Sequence, residues 1–157
     1  FVRTHTYAAL PPDMPEELTE GRAVAFGSIK KYGKLRGCIG TFLPAQQSLA
    51  EEILYNAVSA AAHDSRFEPI AVEELDRLVY SVDVLSTPEP ITSAEELDPH
   101  VYGVIVKSVA DRRRGLLLPD LAGIDTAEQQ IAIAREKPHI MPKEPISLAR
   151  FTVVRHH

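Results

Sequence analysis

Hydrophobic and polar positions along this chain change period several times, and each change marks an element. Ala23 to Lys31 and Leu35 to Phe42 read as two strands. The short connection Tyr32-Gly33-Lys34 between them contains a glycine able to take positive φ, which predicts an antiparallel hairpin. From Ser48 to His63 the period lengthens: Leu49, Ile53, Ala57 and Ala60-Ala61 recur three and four residues apart. That spacing predicts a helix, with Glu51 and Glu52 at its positive end and a run of small residues that admits close packing. Leu78 to Ser86 alternates, with Tyr80, Val82 and Val84 on one face and Ser81 and Asp83 on the other. Gly103 to Val109 and Gly115 to Leu118 flank Ala110 through Arg114 and predict a second hairpin. Thr126 to Lys137 predicts a second helix, with Ile131 and Ala134 inward and Pro138 as its stop. Ile146 to Val154 is expected to close the chain as one strand.

The order β-β-α-β-β-β-α-β places paired strands between helices and is unlike a regular βαβ alternation. It predicts an α+β fold with a mostly antiparallel sheet and a central packed helix. Twelve prolines cluster in the connections, and neither a repeat nor a long linker divides the chain. Residues 1–157 are therefore read as a single domain. The chain opens at Phe1 without methionine, so a trimmed start is expected; His156-His157 are set aside as native or added.

Composition narrows the function classes. At 157 residues, with 45% hydrophobic and 25% charged side chains, the chain can build a core without disulfides or a structural metal. Twenty-two acidic against seventeen basic residues leave a net charge of −5, so nucleic acid is not the expected partner. A single cysteine excludes a disulfide framework and points to a reducing, cytoplasmic setting. The longest apolar runs fall far short of the ~18 residues that a membrane helix requires. Six scattered histidines lack metal-ligand spacing, and no metal or cofactor is expected.

The densest unusual segment is Leu35-Arg36-Gly37-Cys38-Ile39-Gly40-Thr41-Phe42. Strict alternation puts Leu35 and Ile39 on one face and Arg36, Cys38 and Gly40 on the other. A cation beside a thiol stabilises the thiolate, and the two glycines leave access, so Cys38 is a candidate nucleophile. Alternatively, Cys38 is a small buried hydrophobe and the glycines admit a packed helix. A phosphate-binding cysteine loop fails because Pro44 stands where its arginine belongs, and a nucleotide cradle fails for want of a lysine-serine pair.

His63-Asp64-Ser65-Arg66-Phe67 follows the first helix. Here His63 is a candidate base, Asp64 its orienting carboxylate and Arg66 an anion holder; alternatively, Asp64 caps a turn and Arg66 bridges loops. Arg112-Arg113-Arg114 is a third cluster, with Asp120 nearby as a candidate acid/base or cap. It suits phosphate or carboxylate recognition, or is a solvated hairpin tip.

At Leu35-Arg36-Gly37-Cys38-Ile39-Gly40-Thr41 the chain resembles the AMMECR domain family. The likeness continues through Leu49 to Glu52, Asn56-Ala57-Val58, Ala62 to Pro69, Ser81 to Ser86, Tyr102-Gly103-Val104, Arg114 to Leu121 and Ile131 to Ala134. It departs at Ser65 and Glu68, where the family pattern has prolines. The later segments look like the prokaryotic branch, protein A of the AmmeMemoRadiSam system. The resemblance implies a compact two-lobed α+β fold with a cavity between the lobes. It also implies an association with a Memo-like protein and a radical-SAM enzyme, and it supplies no reaction. Two expectations follow. One is a cysteine-dependent enzyme for a small anionic or nucleotide-like molecule, with Cys38, His63 and Asp64 catalytic and Arg36, Gly37, Gly40, Arg66, Arg114 and Asp120 holding substrate. The other is a non-catalytic module that binds a small molecule or a partner through the same residues.

Overall fold

The computed structural model describes residues 1–157. It is α+β, with two four-stranded antiparallel sheets in two compact units: Phe1–Leu85 with Val154–His157, and Ser86–Val153.

In the first unit a one-turn helix α1 (Glu16–Thr19) precedes the hairpin β1 (Val24–Lys31) and β2 (Lys34–Gly40). Tyr32 (φ 51°) and Gly33 (φ 76°) turn the chain between them. Two successive left-handed residues match the right-handed twist of the flanking strands. Helix α2 (Leu49–Ala62) follows, then a 3₁₀ turn Val72–Arg77 and β3 (Leu78–Leu85). Ser48 caps α2 by accepting the Glu51 amide at 3.2 Å. The sheet order is β2-β1-β3-β8, with β8 (Val153–His156) returning from the end of the chain, which leaves β2 on an edge.

Helix α2 lies on the sheet face that presents Ala25, Gly27 and Ile29, and the fit depends on missing side chains. A Cβ at Gly37 would stand 2.1 Å from the Ala60 carbonyl oxygen, and one at Gly27 would stand 3.3 Å from the Ala57 nitrogen. Ala60, Ile29 and Ile70 form the apolar contact beneath. The buried stripe of α2 also carries Glu52 and Asn56, two polar residues amid the alanines and Val58.

The second unit contains β4 (Glu89–Ile91), a 3₁₀ turn Ala94–Glu96, β5 (Gly103–Ser108), β6 (Arg114–Leu117), α3 (Ala127–Glu136) and β7 (Ile146–Phe151). Its sheet runs β4-β7-β5-β6. Thr126 and Gln129 form a reciprocal cap at the start of α3. Again a glycine sets the approach: a Cβ at Gly115 would meet the Ala134 carbonyl oxygen at 1.7 Å. Val104, Val106, Ala134 and Ile140 form the core of this unit. Gln130, fully buried, donates from Nε2 to the carbonyl of Tyr102 at 2.9 Å, tying the helix to the chain entering β5.

Two sequence expectations need correction. Ile146 to Val154 is two strands, because the chain breaks at Thr152 between β7 and β8 (Val153–His156), and β8 joins the first sheet. At that break the Thr152 amide donates to Ser86 Oγ and its carbonyl accepts the Ser86 amide, both at 3.0 Å, so the two crossing segments hold one another. The strict alternation along β2 also fails. Ile29 opposes Gly37 whereas Lys30 opposes Leu35, so Arg36 is the extra residue of a bulge and Leu35 falls out of step with Ile39. No helix is long and apolar enough to cross a membrane.

Replacing Gly37 by alanine should cost about 3 kcal/mol, the upper end for forcing a methyl into a packed contact, because backbone stands in its way. Gly27→Ala should cost clearly less. Urea denaturation of the two variants checks the difference; equal losses would mean that the helix approach is not set by Gly37.

Candidate functional site

The contact between Gly37 and Ala60 brings the end of α2 to the edge of β2, and the residues that follow the helix then meet Cys38. His63 ends the helix, its amide reaching Ser59 O at 2.8 Å, and the chain turns with Phe67 N on Asp64 O at 3.0 Å. Strand β2 lacks an outer neighbour, so the main-chain groups of Cys38 that point away from β1 need partners. The Asp64 carboxylate accepts the Cys38 amide at 2.9 Å, and Arg66 Nη2 donates to the Cys38 carbonyl at 3.1 Å. Asp64 and Arg66 also grip each other, Nε to Oδ1 at 2.9 Å and Nη2 to Oδ2 at 2.7 Å. Together they act as one residue of a missing strand. The Arg66 bonds come first among the causes that hold the Asp64 carboxyl far below the usual carboxylate range, and they overcome the opposing effect of burial.

On the sheet face away from α2, Cys38 stands opposite Ser28, and Ser28 opposite Ser81. The Ser28 hydroxyl lies 3.2 Å from Cys38 Sγ and donates to it. The thiol is half-buried.

Arg36, two residues earlier, is directed elsewhere. Its Nε and Nη2 hold Glu74 at 3.1 and 2.9 Å, and Nη1 donates to the Glu68 carbonyl at 2.8 Å. Lys31 Nζ adds a third cationic bond to Glu74 at 2.8 Å. Arg36, then Lys31 and the Ala71 amide, lower the Glu74 pKa to about 2.

The structure thus brings Cys38, Asp64 and Arg66 together, with Gly37 beneath the helix end. His63 is exposed and its imidazole takes part in no hydrogen bond, while the carboxylate expected to orient it is bonded to Cys38 and Arg66. Gly40 lies under the Phe26 ring, whose nearest atom would be 2.3 Å from a Cβ there. Arg114 and Asp120 belong to the second unit. Arg114 opens β6 opposite Lys107; Asp120 is exposed, at φ 54°, with Oδ1 3.9 Å from His100 Nδ1.

Sequence reasoning passed over Glu52. Its carboxylate, 1% exposed, accepts from Thr41 Oγ1, from the amides of Ala45 and Gln46 at 2.8 and 2.9 Å, and from Asn56 Nδ2 at 3.2 Å. Burial pushes its pKa up, but these four donors outweigh burial and leave it lowered. Glu52 therefore fixes the loop that leaves the cysteine strand. The signal was present: Glu52 and Asn56 continue the three- and four-residue spacing of Leu49 and Ala60.

The AMMECR1 family model matches residues 2–156. A Thermotoga maritima protein is 50% identical over 151 residues, spanning 94% of this chain and 86% of the relative. A Clostridium acetobutylicum protein is 46% identical over 147 residues, again 94% of this chain but only 31% of that longer relative. The crystal structure of the uncharacterized protein PH0010 from Pyrococcus horikoshii matches with a TM-score of 0.86 at 31% identity, covering 98% of this chain and 82% of the other.

Asp64→Asn keeps the shape and removes the charge that both Cys38 and Arg66 use. It should cost about 2 kcal/mol, as for a hydrogen bond to a charged group, and speed hydrogen exchange at the Cys38 amide; an amide protected as in the parent would refute the clamp. The pH dependence follows from the same bonds. Asp64 and Glu74 both titrate lower folded than unfolded, so their stabilisation is complete above the ordinary carboxylate pKa of ~4. As pH falls from there through about 2, where Glu74 protonates in the fold, it is lost. Urea midpoints measured from pH 6 to 2 should fall with acid, and less steeply in the Asp64→Asn, Glu74→Gln double variant.

Proposed function

The chain belongs to the AMMECR1 family, and we propose that it serves there as a non-catalytic binding module. In this reading the Cys38 edge holds a small anionic or nucleotide-like molecule, or an anionic group on a partner protein. One observation carries it: the charged side chains that a cysteine enzyme would draw upon are already committed to structural bonds. Asp64 is shared between the Cys38 amide and Arg66, and Arg36 is held by Glu74. A general base must lie within hydrogen-bond reach of its proton, and the thiol's bonded neighbour is the Ser28 hydroxyl, a donor to sulfur. What the arrangement offers is recognition. The Arg66 side chain is 54% exposed and locked in place by Asp64, while its Nη1 takes part in none of these bonds. A pre-oriented guanidinium beside a small side chain suits a carboxylate or phosphate. The setting is the cytoplasmic AmmeMemoRadiSam system that the sequence resemblance implies, with its Memo-like and radical-SAM proteins as partners.

A specific observation keeps the cysteine-dependent enzyme as a second reading. Cys38 is half-buried rather than sealed, and its sulfur accepts a hydrogen bond from the Ser28 hydroxyl. His63 is then the base and acts only once substrate draws it toward the thiol.

Cys38→Ala separates the two. Under the binding reading, untargeted metabolite profiles of cells carrying Cys38→Ala match those of parent cells, whereas Arg66→Ala reproduces the profile of cells lacking the protein. A Cys38→Ala profile identical to the deletion, together with alkylation of the folded protein faster than a model thiol, would replace the binding reading with the enzyme.

A further inference from the structure

Helix α3 turns Gln130 and Ala134 into the core of the second unit, while the adjoining face, through Glu128, Ala132 and Glu136, stays exposed. Beside that face lies a cleft of about 690 Å³, bounded by the helix and the connection that follows it. Its lining is mostly apolar: Ile131 and Ala132 on the helix side, Ile140, Met141 and Pro142 on the other. Met141 is 62% exposed. The wall opposite the helix is nonetheless firmly held. Arg135 donates from Nη1 to the Met141 carbonyl and from Nη2 to the Glu144 carbonyl, each at 3.1 Å. The Met141 amide donates to Glu144 Oε1 at 2.8 Å, and the Ile140 amide returns to the Arg135 carbonyl at 3.0 Å. A wall already fixed in place loses little conformational freedom when a partner docks.

The rim of the cleft is acidic and unanswered. Glu136 ends α3, where the carbonyl end of the helix disfavours a negative charge, and its carboxylate has neither a hydrogen bond nor an ion pair. Glu128, in the first turn, is likewise unpaired. Arg135 is the one lysine or arginine that lines the cleft, and its guanidinium is turned to loop carbonyls. His139 takes the left-handed position after the helix, at φ 54°, which glycine fills without strain; its exposed side chain adjoins the cleft instead.

We propose that this cleft receives a basic amphipathic helix of a partner protein. The apolar face of that helix lies on Ile131, Ala132 and Met141, and lysines or arginines two turns apart meet Glu128 and Glu136. Eight residues of α3 separate the two carboxylates, about 12 Å along the axis, so one straight helix reaches both. An extended peptide fits less well, because it needs free main-chain partners and the amides of His139, Ile140 and Met141 are already bonded. A second copy docking by the same face is disfavoured by charge: a two-fold axis through Ala132 sets Glu128 against Glu136 across the interface. The cleft uses none of the residues of the Cys38 edge, so either site can fail without the other.

Fluorescence anisotropy of the intact protein with a labelled peptide tests this. The peptide carries leucines three and four residues apart, flanked by lysines; a scrambled peptide has the same composition without the apolar stripe. The expected result is saturable binding of the striped peptide, at least about tenfold tighter than that of the scrambled one. Ala132→Arg, at an exposed position, should weaken it at least about tenfold by placing a cation in the path of the helix. Glu128→Gln with Glu136→Gln should weaken it about fivefold, as for two surface ion pairs. Glu16→Gln with Glu17→Gln, a matched loss of charge in the first unit, should leave it unchanged. Thermal unfolding gives an independent readout: without peptide, Glu136→Gln should melt no lower than the parent, since that carboxylate holds nothing. Equal binding of the two peptides, a first-unit loss equal to that at the cleft, or a lower melting point for Glu136→Gln would each overturn the proposal. So would a concentration-dependent dimer in sedimentation velocity that Ala132→Arg abolishes, which would make a second copy the occupant.

Discussion

An edge strand in a small sheet faces water with main-chain groups that either stay wet or find partners, and the first unit is organised around one such position. At Cys38 the outward amide and carbonyl are taken by a carboxylate and a guanidinium two residues apart in sequence, Asp64 and Arg66. This works only because α2 ends at the right place, and α2 ends there because Gly37 lets its Ala60 carbonyl approach the strand. A larger side chain at residue 37 would lift the helix and carry the carboxylate out of reach. The glycine, the helix register and the clamp therefore form one mechanical unit, with the cysteine at its point of convergence.

The same logic recurs with other carboxylates. Glu52 gathers the amides of the loop after β2, and Glu74 collects Arg36 and Lys31 together with the Ala71 amide. Asp83, nearly buried on β3, is held by Arg155 of β8 at 2.7 Å and so fixes the returning end of the chain to the first sheet. Each is a charge removed from water and compensated by several donors, the condition under which burial of a carboxylate is tolerated. An acidic composition in this chain is thus partly an internal framework rather than a surface property.

The second unit solves similar problems with cations. Arg113 and Arg135 bind the carbonyls of His139, Met141 and Glu144, shaping the connection from α3 to β7. Gly115 repeats beneath Ala134 the role that Gly37 has beneath Ala60.

Periodicity alone was enough to place both hairpins, both main helices, and β3 with its two faces, since these depend on neighbours in sequence. The heptapeptide around Cys38 was enough to identify the family. What it could not convey was the partner of each charged side chain. Arg36 looked like the thiol's cation because strict alternation put it on that face; a bulge, produced by pairing with β1, sent it to Glu74 instead. Asp64 looked like the carboxylate of His63 because the two adjoin, yet the nearest unsatisfied donor in space was the amide of Cys38, twenty-six residues away. The break of the last strand at Thr152 likewise depended on Ser86, sixty-six residues earlier. Local pattern decides which residues become helix and strand, because those hydrogen bonds and side-chain periods are set within a few residues. The destination of a charge is decided by whichever unsatisfied group the folded chain brings within 3 Å, and only tertiary structure contains that distance.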